Sequence, residues 1–266
     1  MKDLKISLIQ TTLFWEESRK NLDHFAELLN KIIEPSDLIL LPEMFNTGFS
    51  INPAVCAEKM DGTGLQFLKD QARKKNAFIM ATLLIKEGDD HFNRLVCMAP
   101  DGTFQTYDKR HLFRLSEEYK IFKEGMKQLV VNVNGWKIHP VICYDLRFPV
   151  WCKNTYDEGE YGYDLLVCTA NWPASRSNVW KTMLKARAME NQSFVAGVNR
   201  IGDDGNGTWH SGDSMVLDAK GNILWAAESG KEGIQTINLS ATDLKIFRDS
   251  FTVGMDWDKF TINVNS

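Results

Sequence analysis

Three side chains of this sequence have the chemistry needed to cleave an amide, and each stands where a strand-like run ends. Glu43 follows an apolar run that closes with a proline, Lys109 follows an alternating run, and Cys143 closes a third run. Proline cannot donate a hydrogen bond to a sheet, so the chain must leave the sheet just before Glu43. Ligands of open α/β sheets bind in the crevice at the carboxyl ends of the strands. The spacing of the three residues does not by itself show that they meet.

The chemistry of the three side chains is complementary. An unperturbed cysteine, with a pKa of about 8.5, is mostly protonated at neutral pH and needs a neighbouring base or cation to become a thiolate. A carboxylate can accept that proton, and a lysine can stabilise the oxyanion that forms when a carbonyl carbon is attacked. Glu43, Lys109 and Cys143 in one pocket would therefore form a complete set for amide cleavage.

Each residue taken alone also has a structural interpretation, which is the commoner one. A cysteine in a strand is usually a small buried hydrophobe. A glutamate after a strand often caps the next element, and a Lys-Arg-His sequence is usually a solvated turn. Only the combination of the three favours chemistry.

The elements that would position these residues alternate apolar strands with amphipathic helices, which predicts an α/β layered sandwich in one domain, 1–266. From Ser18 onward, apolar residues at helical spacing place Leu22 to Ile33 on one buried stripe, and Pro35 ends this helix. Two more helices are predicted at 64–75 and 178–192. Strands are predicted at 5–10, 38–41, 77–85, 92–99, 103–107, 129–133, 137–143, 164–169, 193–199 and 213–217.

Composition restricts the classes of function. The chain has 266 residues, a formal charge of −4 and no basic patch of the kind that nucleic-acid binding needs. It shows no export signal and no apolar run near the ~20 residues of a membrane helix. Five cysteines without a C-x-x-C pair are typical of a reduced, cytoplasmic protein. The five histidines form no metal-ligand array and no glycine-rich loop follows a strand, so neither a metal nor an organic cofactor is expected.

Five blocks of the sequence resemble, in order, those of the nitrilase superfamily of carbon-nitrogen hydrolases. They are LLPE (40–43), YDKRHLF (107–113), CYDLRFP (143–149), ANWP (170–173) and ARAMENQ (186–192). The resemblance runs from about residue 4 to about residue 225. It implies a four-layer αββα sandwich of the nitrilase type and a homodimer or higher homo-oligomer. The aromatic-rich tail, 240–266, is expected to pack at a subunit interface.

The resemblance also implies the roles of the catalytic residues. Cys143 would be the nucleophile, Glu43 the general base and acid, and Lys109 the oxyanion donor, with the backbone N–H of Tyr144 completing the oxyanion hole. Many members carry a second glutamate between the lysine and cysteine blocks. Glu118 is favoured for this position because it stands seven residues before a glycine; Glu117 and Glu124 remain alternatives.

The form of two blocks resembles the amidases that act on omega-amides of keto acids. Many superfamily members have a glutamate after Arg-Phe-Pro, whereas Val150 and Trp151 follow here. This favours an omega-amidase whose substrate is a small amide such as 2-oxoglutaramate. Another small amide, a carbamoyl compound or a nitrile remains an alternative within the superfamily. A catalytically silent sandwich that binds a partner is the alternative outside it.

A dicarboxylate monoamide needs a cation for its distal carboxylate, and the arginines nearest the blocks are Arg114 and Arg147. Arg147 has a competing interpretation, since it and Asp145 could brace the turn after Cys143. Phe148 could wall the pocket, although aromatic residues at such positions are more often core. The residues predicted to contact the substrate are Phe45, Tyr144, Arg147, Asn171 and Trp172.

Overall fold

The computed structural model describes residues 1–263. Its helices are α1 (Ser18–Lys31), α2 (Pro53–Cys56), α3 (Thr63–Lys75), α4 (Glu118–Ile121), α5 (Pro149–Cys152), α6 (Ser177–Asn191) and α7 (Ala241–Ser250). Its strands are β1 (Leu4–Gln10), β2 (Leu38–Leu40), β3 (Phe78–Glu87), β4 (Asp90–Met98), β5 (Phe104–Asp108), β6 (Val131–Val133), β7 (Trp136–Ile142), β8 (Tyr156–Asp157), β9 (Glu160–Tyr161), β10 (Leu165–Ala170), β11 (Phe194–Asn199), β12 (Ile201–Asp203), β13 (Trp209–Ser211), β14 (Met215–Leu217), β15 (Ile223–Ala226) and β16 (Gly233–Leu239). Over these residues, no helix is both long and apolar enough to span a membrane.

Twelve of the strands form two six-stranded sheets with the same plan. The first has the order β16-β1-β2-β3-β4-β5, and the second has the order β15-β14-β11-β10-β7-β6. In the first sheet β1, β2 and β3 are parallel to one another, and the outer pairs are antiparallel. In the second sheet β7, β10 and β11 form the parallel centre.

The alternation of residues along β1 shows how the layers form. Leu4, Ile6 and Leu8 face the core between the two sheets, and Ile9 belongs to the core under α1 and α3. On the other side, Trp180 and Leu184 of α6 pack directly over Gly197 of β11, where a β-carbon would leave no room. The order of layers is therefore helix, sheet, sheet, helix, and the predicted αββα sandwich is confirmed.

The first helix departs from its predicted end. α1 ends at Lys31, and Ile32 has an extended backbone with ψ 105°. Ile33 consequently lies outside the helical stripe and is 94% exposed, so its predicted burial is wrong. The stripe itself, from Leu22 to Leu29, is buried as predicted.

Two strands at the edges of the sheets had no sequence prediction. β16 pairs antiparallel with β1, with Leu4 opposite Leu239, and β15 pairs with β14. β16 is mostly half-buried and β15 mostly exposed, so neither carries the continuous apolar pattern that marks the central strands.

The tail folds back on its own subunit. Arg248 of α7 forms an ion pair with Asp164 (Nη1 to Oδ1, 2.6 Å), and its Nε donates to the carbonyl oxygen of Gln192. Ile246, Phe251 and Met255 are left exposed. The predicted tail, 240–266, includes residues 264–266, which lie outside the described range. Its role at a subunit interface stays a prediction.

Replacing Trp180 with alanine should destabilise the outer layer that supports the second sheet. Trp180 is fully buried, and its Nε1 donates to the carbonyl oxygen of Asp213 (2.8 Å). The cavity and the lost hydrogen bond should lower the free energy of unfolding by about 3–5 kcal/mol, measured by urea denaturation. Ile33→Ala is the control and should change it by less than about 0.5 kcal/mol. Equal effects of the two changes would contradict this assignment of layers.

Candidate active site

The carboxyl ends of strands from both sheets open into one cavity of about 650 Å³. Glu43 follows β2 and Lys109 follows β5 in the first sheet, while Cys143 follows β7 in the second. All three line the cavity. The structure therefore brings together three residues that lie far apart in the sequence.

Glu43 is completely buried and accepts three hydrogen bonds. Lys109 Nζ (2.9 Å) and Asn93 Nδ2 (2.8 Å) donate to its Oε1, and the backbone N–H of Asn171 donates to its Oε2 (2.8 Å). The side-chain amide of Asn171 also donates to the Glu43 carbonyl oxygen. An ionised carboxylate is acceptor-only, and the three donors match it. Asn171, which was predicted to contact the substrate, therefore lines the cavity and also holds Glu43 in place.

Lys109 lies between two buried carboxylates. Its Nζ is 2.9 Å from Glu43 Oε1 and 3.0 Å from Glu118 Oε2, and its side chain is 1% exposed. Burial alone would lower the pKa of Lys109, but the charges of Glu118 and Glu43 outweigh it and raise the pKa. The lysine therefore stays charged, as an oxyanion donor must.

Glu118 is the one of the three candidate glutamates that reaches the site. It is fully buried in the first turn of α4, where its Oε2 also accepts from the backbone N–H of Phe113 (2.6 Å). Burial raises the pKa of Glu118 despite the neighbouring Lys109. Glu117 pairs with a lysine at the surface, and Glu124 pairs with Arg110 there.

Cys143 has an unusual backbone conformation. It begins the tight turn Cys143–Arg147 directly after β7, and its φ is +43°, in the left-handed region that non-glycine residues rarely occupy. Such strain clusters at functional sites, and a sharp strand-to-helix turn exposes a nucleophile at the end of a sheet. The side chain is only partly buried, unlike the other four cysteines.

Asp145 holds this turn against the segment that carries Lys109. Its Oδ2 accepts from the backbone N–H of Ile142 (3.1 Å) and from the hydroxyl of Tyr107 (2.7 Å). Its Oδ1 accepts from the backbone N–H of His111 (2.8 Å). The predicted brace therefore consists of Asp145, and Arg147 takes no part in it.

The environment of Cys143 keeps its thiol protonated. Burial raises the pKa of Cys143, the negative charge of Glu43 raises it further, and the positive charge of Lys109 only partly opposes them. A nucleophilic attack by this sulfur therefore needs a proton acceptor, and Glu43 is the neighbouring carboxylate that can serve.

Two arginines line the same cavity without a carboxylate partner among residues 1–263. The guanidinium of Arg147 lies over the ring of Trp172 at 5.0 Å, and that of Arg176 lies over Phe113 at 5.4 Å. The indole of Trp172 in turn donates to the carbonyl oxygen of Arg176 (2.9 Å). Arg176 has no counterpart in the sequence-based prediction, because it lies just beyond the ANWP block.

Tyr144 and Trp172 line the cavity as predicted, but Phe45, Phe148 and Arg114 do not. Phe45 is fully buried in the core under α1, against Phe25 and Phe67, so its predicted place at the substrate is wrong. The reason is local: Met44, between Glu43 and Phe45, has a φ of +46° and redirects the chain.

Phe49 is one of the aromatic residues that line the cavity, with Lys109 Nζ 4.9 Å from its ring centre. Phe148 instead stacks on His111 with ring centres 3.6 Å apart. Arg114 lies over Tyr119 at the border of a separate groove. Spacing in the sequence could not separate these aromatic and basic residues.

Comparison with known proteins identifies the family of this chain. The sequence profile of the carbon-nitrogen hydrolases matches residues 5–248. The chain belongs to the carbon-nitrogen hydrolase family. The resemblance of the five sequence blocks to the nitrilase superfamily is thereby confirmed.

Relatives place this carbon-nitrogen hydrolase in the omega-amidase-like branch. It is 42% identical over 262 residues to omega-amidase YafV of Yersinia enterocolitica, which covers 98% of this chain and 100% of the relative. It is 30% identical to 2-oxoglutaramate amidase of Bacillus subtilis over 93% of this chain and 95% of that one. A solved CN-hydrolase superfamily protein from Xanthomonas campestris superposes with a TM-score of 0.96 at 41% identity, covering 99% and 100% of the two chains.

Iodoacetamide should label Cys143 far faster than the other four cysteines, because those four are buried and Cys143 opens into the cavity. Peptide mapping by mass spectrometry after short exposures of the native protein measures the five rates. Labelling in denaturant, where all five should react alike, is the control. A native protein in which another cysteine reacts as fast as Cys143 would contradict the assignment of the nucleophile.

Proposed function

We propose that this protein hydrolyses the amide of a small omega-amido keto acid, such as 2-oxoglutaramate, to the acid and ammonia. The observation that carries the proposal is the pair of partnerless arginines in the cavity that holds Cys143. The names of the relatives support the same substrate class.

The reaction follows from the contacts of Glu43. Glu43 accepts the proton of the Cys143 thiol while the sulfur attacks the amide carbon. Lys109 Nζ and the backbone N–H of Tyr144 stabilise the oxyanion. The carbon–nitrogen bond then breaks as Glu43 returns the proton to nitrogen, and ammonia leaves a thioester on Cys143.

The second half of the reaction uses the same groups. A water molecule gives a proton to Glu43 and attacks the thioester, and the sulfur leaves as the carboxylic acid forms. The proton then returns to Cys143. Glu118 supports both halves by holding Lys109, since its carboxylate contacts Nζ and its burial fixes the lysine at one place. Neither step needs a metal or an organic cofactor.

Arg147 and Arg176 supply the recognition of the distal carboxylate. A guanidinium binds a carboxylate through two parallel hydrogen bonds, and an aromatic ring behind each arginine limits its motion. A neutral amide of the same length would leave both cations unpaired. The cavity therefore favours a substrate with an anionic end opposite its amide.

Other functions fit the site less well. Another small amide, a carbamoyl compound or a nitrile could use the same three groups, but a neutral one gives the two arginines no partner. A binding module without catalysis has no need for a strained cysteine conformation beside a buried lysine and two buried carboxylates.

The proposal also covers the oligomeric state and the cellular location of the protein. We propose a homodimer or higher homo-oligomer of a single-domain chain, 1–266, in which the tail from residue 240 packs between subunits. Exposed Ile246, Phe251 and Met255 support it. The five free cysteines support a cytoplasmic location, and the partner of the protein is then a small-molecule amide rather than nucleic acid or membrane.

Ammonia release from 2-oxoglutaramate tests the proposal. The unaltered protein should turn it over, and Cys143→Ala should not. Arg176→Gln and Arg147→Gln should each raise KM by roughly 10- to 100-fold, because each removes a charged hydrogen-bond donor worth about 1.5–3 kcal/mol. Arg19→Gln, at an arginine whose side chain is 88% exposed, is the control and should leave KM unchanged.

A neutral amide of matched length provides the discriminating comparison. The arginine variants should hydrolyse it as well as the unaltered protein does, because it makes no ionic contact. An equal loss on both substrates would show that the arginines act on the fold rather than on the carboxylate. No turnover of any amide by the unaltered protein would refute the proposed hydrolase.

A further inference from the structure

Asn93 is a buried polar residue at the centre of the site that none of the sequence blocks contains. It lies in β4, opposite Leu84 of β3, and is completely buried. Its backbone carbonyl oxygen accepts from the backbone N–H of Lys109 (2.9 Å). The strand thus places the Asn93 side chain beside the residues that follow the first sheet.

The Asn93 amide lies between the two buried carboxylates. Its Nδ2 is 2.8 Å from Glu43 Oε1 and 3.2 Å from Glu118 Oε1. An amide nitrogen carries two hydrogens, so it can donate one to each carboxylate. The opposite orientation would bring the amide oxygen against two carboxylate oxygens, and their repulsion excludes it.

This orientation leaves the amide oxygen of Asn93 buried without a hydrogen-bond partner among the described residues. A buried unsatisfied acceptor destabilises the folded state, and a leucine of similar volume would avoid it. Buried polar atoms that destabilise the fold in this way are expected at functional sites. At Asn93 the same amide group donates hydrogen bonds to the two buried carboxylates.

We propose that Asn93 is a positioning residue that holds the Glu43 carboxylate aimed for proton transfer from Cys143. This rests on the proposed function, in which Glu43 is the base. Lys109 must also serve the oxyanion, so Asn93 is the donor to Oε1 that acts on the carboxylates alone. Its second N–H keeps Glu118 in place behind Lys109.

The charged and titratable groups around Glu43 come from several elements. Lys109 follows β5, Glu118 lies in α4, Cys143 follows β7, and Cys168 lies in β10 behind Cys143. Lys109 is the only cation among them. Each change at Asn93 therefore acts on a cluster of two carboxylates and one ammonium.

The rate of Cys143 alkylation at a fixed, neutral pH tests the proposal without requiring a substrate. In the unaltered protein Glu43 accepts the thiol proton as the sulfur reacts. Asn93→Leu should lower this rate by roughly 10- to 100-fold, since it removes a donor to a charged group. With the substrate, kcat should fall with it while KM stays unchanged.

Asn93→Asp is the second variant, in case the leucine disturbs folding. It keeps the size of the side chain but replaces the donor with a third carboxylate, so the alkylation rate should fall as well. Asn154→Leu is the matched control: Asn154 is buried, donates to the backbone of Tyr163 and Asn191, and does not line the cavity. It should lower stability and leave the alkylation rate and kcat unchanged.

The outcomes are distinguishable. A folded Asn93 variant with the alkylation rate of the unaltered protein would overturn the positioning role, whatever its stability. A lower rate in the Asn93 variants but not in Asn154→Leu would support it. A different result would refute the proposed amidase activity: the unaltered protein would hydrolyse no amide while its Cys143 still reacts with iodoacetamide.

Discussion

The site depends on one buried charge, the ammonium of Lys109, which is held by Glu43 and Glu118 away from solvent. A buried cation destabilises the fold unless it is paired, and removal of one partner leaves an uncompensated charge. The three groups must therefore be placed together by the fold. This requirement explains the hydrogen bonds from Asn93 and from the backbone of Phe113, which fix the carboxylates. The proposed oxyanion donor, Lys109, and the proposed base, Glu43, are therefore held together before any substrate binds.

The fold meets this requirement because strands of both sheets end at the same cavity. β2 and β5 point in the same direction in the first sheet and deliver Glu43 and Lys109, while β7 and β10 deliver Cys143 and Asn171. The backbone N–H of Asn171 binds Glu43, so the hydrogen bond joins the two sheets at the reacting groups. A shift of one sheet against the other would separate Glu43 from Cys143. The large core between the sheets therefore also sets the geometry of these residues.

The layers of the fold and the catalytic candidates at strand ends could be predicted from the sequence. Features that depend on backbone conformation or on contacts between distant residues could not. Strands such as β10 are buried on both faces and can be recognised in the sequence, whereas β16 is half-exposed and cannot. Phe45 was misplaced because the φ of Met44 cannot be read from residue types. Asn93 and Arg176 were missed because neither belongs to a block: their importance comes from contacts with residues distant in the chain. The resemblance to a family implied the roles of the catalytic candidates, and the structure shows their hydrogen-bond partners.

Rapid mixing with 2-oxoglutaramate, acid quenching and intact-mass measurement test most directly whether amide cleavage proceeds through the proposed thioester on Cys143. We predict an adduct with the mass of the substrate less ammonia, mapped to the peptide of Cys143 and absent in Cys143→Ala. Two results would contradict the proposed thioester. One is hydrolysis that shows no adduct and is retained in Cys143→Ala, and the other is an adduct on another cysteine.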